Sequence, residues 1–66
     1  MKIAVNGEDR RIDTVATIAS LLKELDLQGK PVAVERNGET VPKSAHEATK
    51  LSEGDQIEIV TLVGGG

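Results

Sequence analysis

The chain has 66 residues, a net charge of −3 at pH 7, and no cysteine, phenylalanine, tyrosine or tryptophan. A chain of this length forms at most one small domain, and without cysteine it has no disulfide, thiolate metal site or redox pair. Because it also lacks aromatic stacking platforms and a basic stripe, we expect no nucleic acid ligand. The first residues contain no apolar run that would direct secretion or span a membrane, so we expect a cytoplasmic protein with no membrane partner.

The first predicted element is a β-hairpin. Residues 1–5 alternate between the two sides of a half-buried strand. Asn6-Gly7 follows, and both residues tolerate the positive φ angles of a type I′ turn. The return strand is expected to run through Ile12.

A helix follows, because the period of the apolar residues changes to i, i+3, i+4 and i+7 at Ile18, Leu21, Leu22 and Leu25. Thr17 is the predicted N-cap. Residues 26–29 are predicted to end the helix, with Gly29 in the left-handed conformation and Pro31 preventing continuation.

The second half of the chain again indicates strands. Residues 32–34 are apolar, Asn37-Gly38 repeats the hairpin signal, and the return strand through Val41 ends near Pro42. Residues 43–50 mix small and polar side chains, and they predict a loop with a short helical turn.

The most β-branched segment, residues 57–63, follows a turn at residues 53–55 and is predicted to be a central strand. We expect it to pair in parallel with the first strand. The order of elements therefore predicts an α+β domain with a mixed sheet of four to five strands and one main helix packed on one face.

The chain lacks the residues of a self-sufficient catalyst, so we expect a protein that is not an enzyme. His46 is its only histidine; in a polar loop it is predicted to be a solvated surface residue, and no metal site is expected. Ser20, Ser44 and Ser52 do not lie in a nucleophile-elbow motif, and no phosphate-binding glycine motif is present.

The chain ends in three glycines, Gly64, Gly65 and Gly66. Disorder or a cloning remnant would explain them, yet they follow the most strand-like segment directly, which favours a folded domain at residues 1–63 and a flexible tail at residues 64–66. Three extended residues reach roughly 10 Å, enough to place the Gly66 carboxylate inside a partner's active site. A carboxylate is a poor electrophile until activated, for example as an acyl-adenylate, and without an ATP motif the activating enzyme must be another protein.

The last predicted strand also suggests a docking face. By strand alternation, Ile57, Ile59 and Thr61 face the helix. The candidate partner-binding residues on the opposite face are Ala4, Ala33, Glu58, Val60 and Leu62, and Lys2 and Glu35 lie beside them. These residues form either a modest apolar patch rimmed by charge, as a partner-docking surface would, or an ordinary exposed strand surface.

Several segments resemble a known family. The opening IAVNG, the run GDQIEIV, the terminal glycines and the order of elements look like the ubiquitin-like β-grasp sulfur carriers. The segment VERNGETVPK resembles the middle hairpin of the thiamine-biosynthesis sulfur carriers in particular. The resemblance covers essentially the whole chain and implies a β-grasp fold.

For that family, the resemblance implies that the Gly66 carboxylate is adenylated by a ubiquitin-activating-type adenylyltransferase. That enzyme consumes ATP, and the carrier itself binds no cofactor. A sulfur-donating enzyme then completes a thiocarboxylate, whose sulfur thiazole synthase uses to form the thiazole ring of thiamine. Gly65 corresponds to the other residue of the family's Gly-Gly pair, whereas Gly64 lies outside that pair and lengthens the tail.

Other functions of the same architecture stay open at this point. One group of alternatives comprises sulfur carriers for molybdopterin, cysteine or tRNA thiolation, and protein modifiers that form isopeptide bonds through Gly66. An alternative of a different class is a non-covalent β-grasp binding module, in which the sheet face binds the partner and the glycines have no role.

Overall fold

The computed structural model describes residues 1–12 and 16–62. Its regular elements are β1 (Lys2–Val5), β2 (Glu8–Arg11), α1 (Ile18–Glu24), β3 (Val32–Arg36), β4 (Glu39–Val41), a 3₁₀ turn (Lys43–Ala45) and β5 (Gln56–Thr61). The strands form one sheet in the order β2-β1-β5-β3-β4. As predicted, β5 is central and pairs in parallel with β1, and it pairs antiparallel with β3. Val63 and the glycine tail lie outside the described residues.

One face of the sheet is covered by α1, and the core lies between them. Ile57 and Ile59 of β5 are buried, while Glu58 and Val60 between and after them are exposed. The buried apolar residues of the described part are Ile3, Ile12, Ala16, Ile18, Leu21, Leu22, Val34, Leu51, Ile57 and Ile59. This core is entirely aliphatic and matches the predicted helix stripe and strand alternation.

Both ends of α1 are capped by nearby groups. The predicted N-cap Thr17 is confirmed: its hydroxyl accepts from the Ser20 amide at 3.2 Å, and its own amide donates to the Ser20 hydroxyl at 2.8 Å. At the other end the Asp26 amide donates to Lys23 O and the Leu27 amide to Leu22 O, which is a Schellman motif. Among the described residues no helix is long and apolar enough to cross a membrane.

The residue that ends the helix is Asp26, with φ of 62°, and not Gly29. Gly29 does adopt the predicted left-handed conformation, at φ of 79°, but it lies in the turn that follows. Asp can occupy the left-handed region because its short side chain is tolerated there. The predicted helix end at residues 26–29 is therefore confirmed, with Asp26 in place of Gly29 as the left-handed residue that ends the helix.

The prediction for His46 is wrong, because its side chain is 7% exposed and not solvated. The ring Nε2 lies 3.1 Å from Val41 O, and the His46 carbonyl accepts from the Ala19 amide of α1. The loop after the 3₁₀ turn folds against the start of the helix, and it thereby satisfies donors that the helix leaves free. His46 is thus a packing residue that joins this loop to the end of β4.

A buried carboxylate fixes the start of β5. Asp55 is 5% exposed, and it accepts from Arg36 Nε at 2.8 Å, the Ser52 amide at 2.8 Å and Asn37 Nδ2 at 3.0 Å. Burial raises the pKa of the Asp55 carboxyl, but the bonds from Arg36, Ser52 and Asn37, with the Arg36 charge, outweigh it and hold that pKa below 3.8. Ionised Asp55 therefore stabilises the fold.

We expect Asp55→Asn to lower the free energy of unfolding at pH 7 by about 2 kcal/mol, because the charge-assisted hydrogen bonds of the buried carboxylate are lost. The pKa of Asp55 is lower in the folded protein than its ordinary value. The stabilisation by ionised Asp55 is therefore fully present above that ordinary pKa, and it is lost as the pH falls through the pKa of the folded protein. Urea unfolding at several pH values should show the difference from wild type shrinking in that acidic range.

The control is Asp9→Asn, since Asp9 forms only an exposed pair with Lys2, at 3.5 Å. This variant should lose about 0.5 kcal/mol or less. Equal losses in the two variants would contradict the role assigned to Asp55.

Candidate functional site

The candidate site lies around the second half of β5, the strand that leads to the predicted tail. On one side, β3 pairs with β5 along its length, from Arg36 opposite Ile57 to Val32 opposite Thr61. On the other side, β1 pairs only as far as Val5 opposite Ile57. The last residues of β5 therefore need another means of attachment on the β1 side.

Asn6 supplies that attachment through its side chain. Its Oδ1 accepts from the Ile59 amide at 2.7 Å, and its Nδ2 donates to Ile59 O at 3.1 Å. A primary amide offers both a donor and an acceptor, so it can replace the backbone of one further strand residue. Asn6 thus extends the pairing of β1 with β5 although the chain has already turned, with φ of 51°.

Asn37 acts in the same way at the other end of β5. Its Oδ1 accepts from the Gln56 amide at 2.8 Å, and its Nδ2 donates to the Asp55 carboxylate at 3.0 Å. Sequence reasoning assigned both asparagines to turns only and missed these contacts. One feature of the sequence points to these contacts: Asn occupies the same position in both turns, although Gly or Asp would also adopt the positive φ that the turn requires.

Four of the five predicted partner-binding residues lie on strands, at positions that alternate with the buried residues of the sheet. Val60 and Leu62 are the exposed large apolar residues of the described part, at 58% and 51%. Ala33 pairs with Val60 across β3 and β5, and Ala4 is half-buried on β1. Glu58 is exposed two positions before Val60. Ala4, Ala33, Glu58 and Val60 therefore share one face of the sheet, whereas Leu62 follows β5 and lines a groove beside α1. The role of all five residues in binding stays a prediction.

Thr61 lies on the helix side of β5, as predicted, and it is exposed there. A helix of seven residues is roughly 10 Å long, whereas six strand residues extend about 20 Å. The helix cannot cover both ends of β5, so Thr61 borders an open concavity with Leu25 and Leu27.

Leu62 lines a second concavity. This groove has a volume of about 920 Å³ and runs beside the end of α1, with apolar walls from Leu22, Leu27 and Val32. Leu62 itself is held by its amide, which donates to Pro31 O at 2.9 Å. A partner that contacts Leu62 therefore meets an apolar side chain on a fixed backbone.

The predicted reactive group is not among the described residues. Gly64, Gly65 and Gly66 lie outside them, so the reaction chemistry assigned to the Gly66 carboxylate rests on the sequence. Within residues 1–12 and 16–62, no three His, Cys, Asp or Glu side chains are grouped so as to hold a metal ion. What the described part offers is a rigid strand and an exposed face next to it.

Known proteins resemble this chain over its full length. The family model of ThiS matches residues 3–66. The chain belongs to the ThiS family. The sulfur carrier protein ThiS of Bacillus subtilis is 42% identical, over 97% of this chain and 98% of that protein. The crystal structure of the thiamine biosynthesis protein ThiS from Geobacter metallireducens is 35% identical with a TM-score of 0.84, and the match covers 100% of both chains.

These matches confirm the resemblance to the thiamine-biosynthesis sulfur carriers and the β-grasp fold of the ThiS family. A longer relative also matches: the thiazole synthase of Paramagnetospirillum magneticum is 46% identical over 66 residues, which are 100% of this chain and 20% of that protein. This chain therefore spans one fifth of the length of that thiazole synthase.

The contact between Asn6 and Ile59 can be tested with Asn6→Gly, which keeps the positive φ but removes the amide. The Ile59 N–H and C=O then lose their partners, so we expect a loss of about 1–2 kcal/mol in the free energy of unfolding and faster hydrogen exchange at the Ile59 amide.

Asn37→Gly is the matched control, because it removes the corresponding amide at the start of β5. Amide hydrogen exchange is measured by NMR in both variants and corrected for the global stability of each. The exchange of the Ile59 amide should be accelerated more in Asn6→Gly than in Asn37→Gly. Equal protection of the Ile59 amide in both variants would show that Asn6 does not hold this part of β5.

Proposed function

We propose that this ThiS-family chain carries sulfur as a thiocarboxylate on Gly66 and delivers it for thiazole formation in thiamine biosynthesis. The observation that carries the proposal is that the family match extends through the terminal glycines, to residue 66. The chain then acts as a co-substrate of partner enzymes in the cytoplasm. It binds no cofactor of its own.

The proposed chemistry requires two activating steps on partner proteins. A ubiquitin-activating-type adenylyltransferase lets the Gly66 carboxylate attack the α-phosphate of ATP, which releases pyrophosphate and forms an acyl-adenylate. A sulfur-donating enzyme then provides sulfur at the oxidation level of sulfide. This sulfur attacks the acyl carbon, the bond from that carbon to the AMP oxygen breaks, and the products are the thiocarboxylate and AMP. Replacing oxygen by sulfur turns a weak nucleophile into a strong, soft one. Gly65 and Gly64 let the chain enter narrow active sites, since glycine has no Cβ.

Thiazole synthase is the proposed sulfur acceptor. In support, the thiazole synthase of Paramagnetospirillum magneticum contains a segment 46% identical to this whole chain. A carrier joined to its acceptor enzyme is present at a high effective concentration, which is favourable when the two act in sequence. This relationship favours thiamine biosynthesis over molybdopterin synthesis, cysteine synthesis, tRNA thiolation and protein modification.

The proposed docking surface is the sheet face formed by Ala4, Ala33, Glu58 and Val60, together with Leu62, which follows the end of β5. Exposed apolar residues beside small and charged ones have the composition of a protein interface with a polar rim. Their backbone is already fixed in the sheet, so binding costs little ordering of the chain. Docking here places the partner next to the end of β5.

The carrier function is tested by intact-mass spectrometry after incubation with the adenylating enzyme, ATP and a sulfur-donating enzyme. We expect the mass change of one oxygen replaced by sulfur, located on the C-terminal fragment. Deleting Gly65 and Gly66 should abolish it without unfolding the domain, because the last buried core residue of the part that the structure describes is Ile59 and terminal residues make few stabilising contacts. Unmodified wild-type protein would exclude sulfur carriage, and an unfolded deletion variant would assign the glycines a structural role.

The docking surface is tested with Val60→Glu, which places a charge in the apolar patch. We expect binding to the adenylating enzyme or to thiazole synthase, measured by surface plasmon resonance, to weaken at least tenfold, which is about 1.4 kcal/mol. Because Val60 is already 58% exposed, the free energy of unfolding should change by less than about 1 kcal/mol.

Thr61→Glu is the matched control, since it adds the same charge to the next residue of β5 on the opposite side. It should bind partners nearly as well as wild type. Equal weakening by the two substitutions would argue against docking on the sheet face.

A further inference from the structure

Two glutamates oppose each other on the exposed sheet face. Glu35 of β3 pairs directly with Glu58 of β5, and both side chains are exposed. Like charges directly across a strand pair destabilise the sheet. The pair lies beside the apolar patch on the same face of the sheet. Ala33 and Val60 also lie opposite each other across β3 and β5, and Val60 is two residues further along β5 than Glu58.

No cation of the described residues neutralises the pair. The ion pairs found there join Lys2 to Asp9, Arg10 to Glu24 and Arg36 to Asp55. The side chains nearest on this face are uncharged: Thr40 lies opposite Glu35 on β4, and Gln56 precedes Glu58 on β5. Arg36 follows Glu35 but is directed to the other face, where it contacts buried Asp55. The two carboxylates therefore repel each other in the free protein.

We infer that Glu35 and Glu58 together receive an arginine side chain of a protein partner that docks on this face, next to an aliphatic contact on Ala33 and Val60. A planar guanidinium presents several N–H donors in a fixed fork and can bond to two carboxylates at once. Bound there, it would relieve the repulsion and gain charge-assisted hydrogen bonds. A lysine ammonium, a point charge without this fork, matches two separated carboxylates less well. This inference rests on the docking surface proposed above.

The inference predicts that removing one charge stabilises the protein yet weakens partner binding. Glu58→Gln and Glu35→Gln should each raise the thermal midpoint by about 1–4 °C at low salt, and the gain should shrink at 1 M salt because exposed charges are screened. Each should weaken binding to the adenylating enzyme or to thiazole synthase of the same genome about tenfold. The double variant should gain little more stability than either single one, since both remove the same repulsion.

Glu47→Gln is the control. Glu47 is exposed in the loop after the 3₁₀ turn, outside the strands β3 and β5 that carry Glu35 and Glu58, and its replacement changes the net charge of the chain by the same amount. Its thermal midpoint and its binding should match wild type. An equal loss of binding in Glu47→Gln would show that net charge, and not the Glu35–Glu58 pair, governs association, which would overturn the inference.

The remaining outcomes separate this inference from the proposed function. If wild type acquires the thiocarboxylate while Glu35→Gln and Glu58→Gln bind both enzymes normally, the arginine site is wrong and sulfur carriage stands. A lower thermal midpoint in either variant would show that the pair does not repel and would also overturn the site. If wild type neither acquires sulfur nor binds either enzyme, the proposed function fails and the inference fails with it.

Discussion

Strand β5 is fixed in the middle of the sheet by side chains that bond to its backbone, and the site depends on this attachment. Asn37 holds the amide of Gln56 at its start, and Asn6 holds both backbone groups of Ile59 further along. Asp55 joins this strand to Arg36 and to the preceding turn. Each bond contributes about 1 kcal/mol, and more where the carboxylate is ionised. Together they make the strand that leads to the ThiS-family terminal glycines a rigid support.

This attachment leaves the outer face of β5 free for recognition. Ile57 and Ile59 bury against α1, so the packing that stabilises the domain uses one side of the strand only. Val60 and Leu62 remain exposed, and this lowers the stability of the domain only slightly. An exposed apolar side chain contributes no burial energy, but it introduces no strain. Small residues such as Ala4 and Ala33 keep the face shallow, which lets a partner's side chains approach the sheet closely.

Much of this fold follows from the sequence. The two Asn-Gly turns, the apolar stripe Ile18 to Leu25 and the alternation of β5 are local patterns, and local geometry decides them. The features that the sequence pattern does not reveal, and the one wrong prediction, for His46, depend on contacts between distant segments. His46 is buried because its loop packs on α1 and β4, and Thr61 is exposed because the helix is short. The side-chain amides of Asn6 and Asn37 can bond to β5 and its preceding turn only after the sheet forms. Periodicity and spacing carry no information about such partners.

Specificity for one acceptor enzyme must arise outside the terminal glycines in a carrier of this kind. The activated terminus is common to sulfur carriers of several pathways and to protein modifiers, so two or three glycines cannot distinguish one acceptor enzyme from another. Recognition of one acceptor enzyme therefore has to come from side chains that differ among proteins of one fold. Within the part of the chain that the structure describes, the exposed sheet face combines apolar side chains with charges that have no partner. Glu35 and Glu58 destabilise the free domain slightly. Such a pair discriminates strongly between partner proteins, because a partner without a matching cation must bury two uncompensated carboxylates. A face that is mildly unfavourable alone thus rejects wrong enzymes more effectively than a neutral one would.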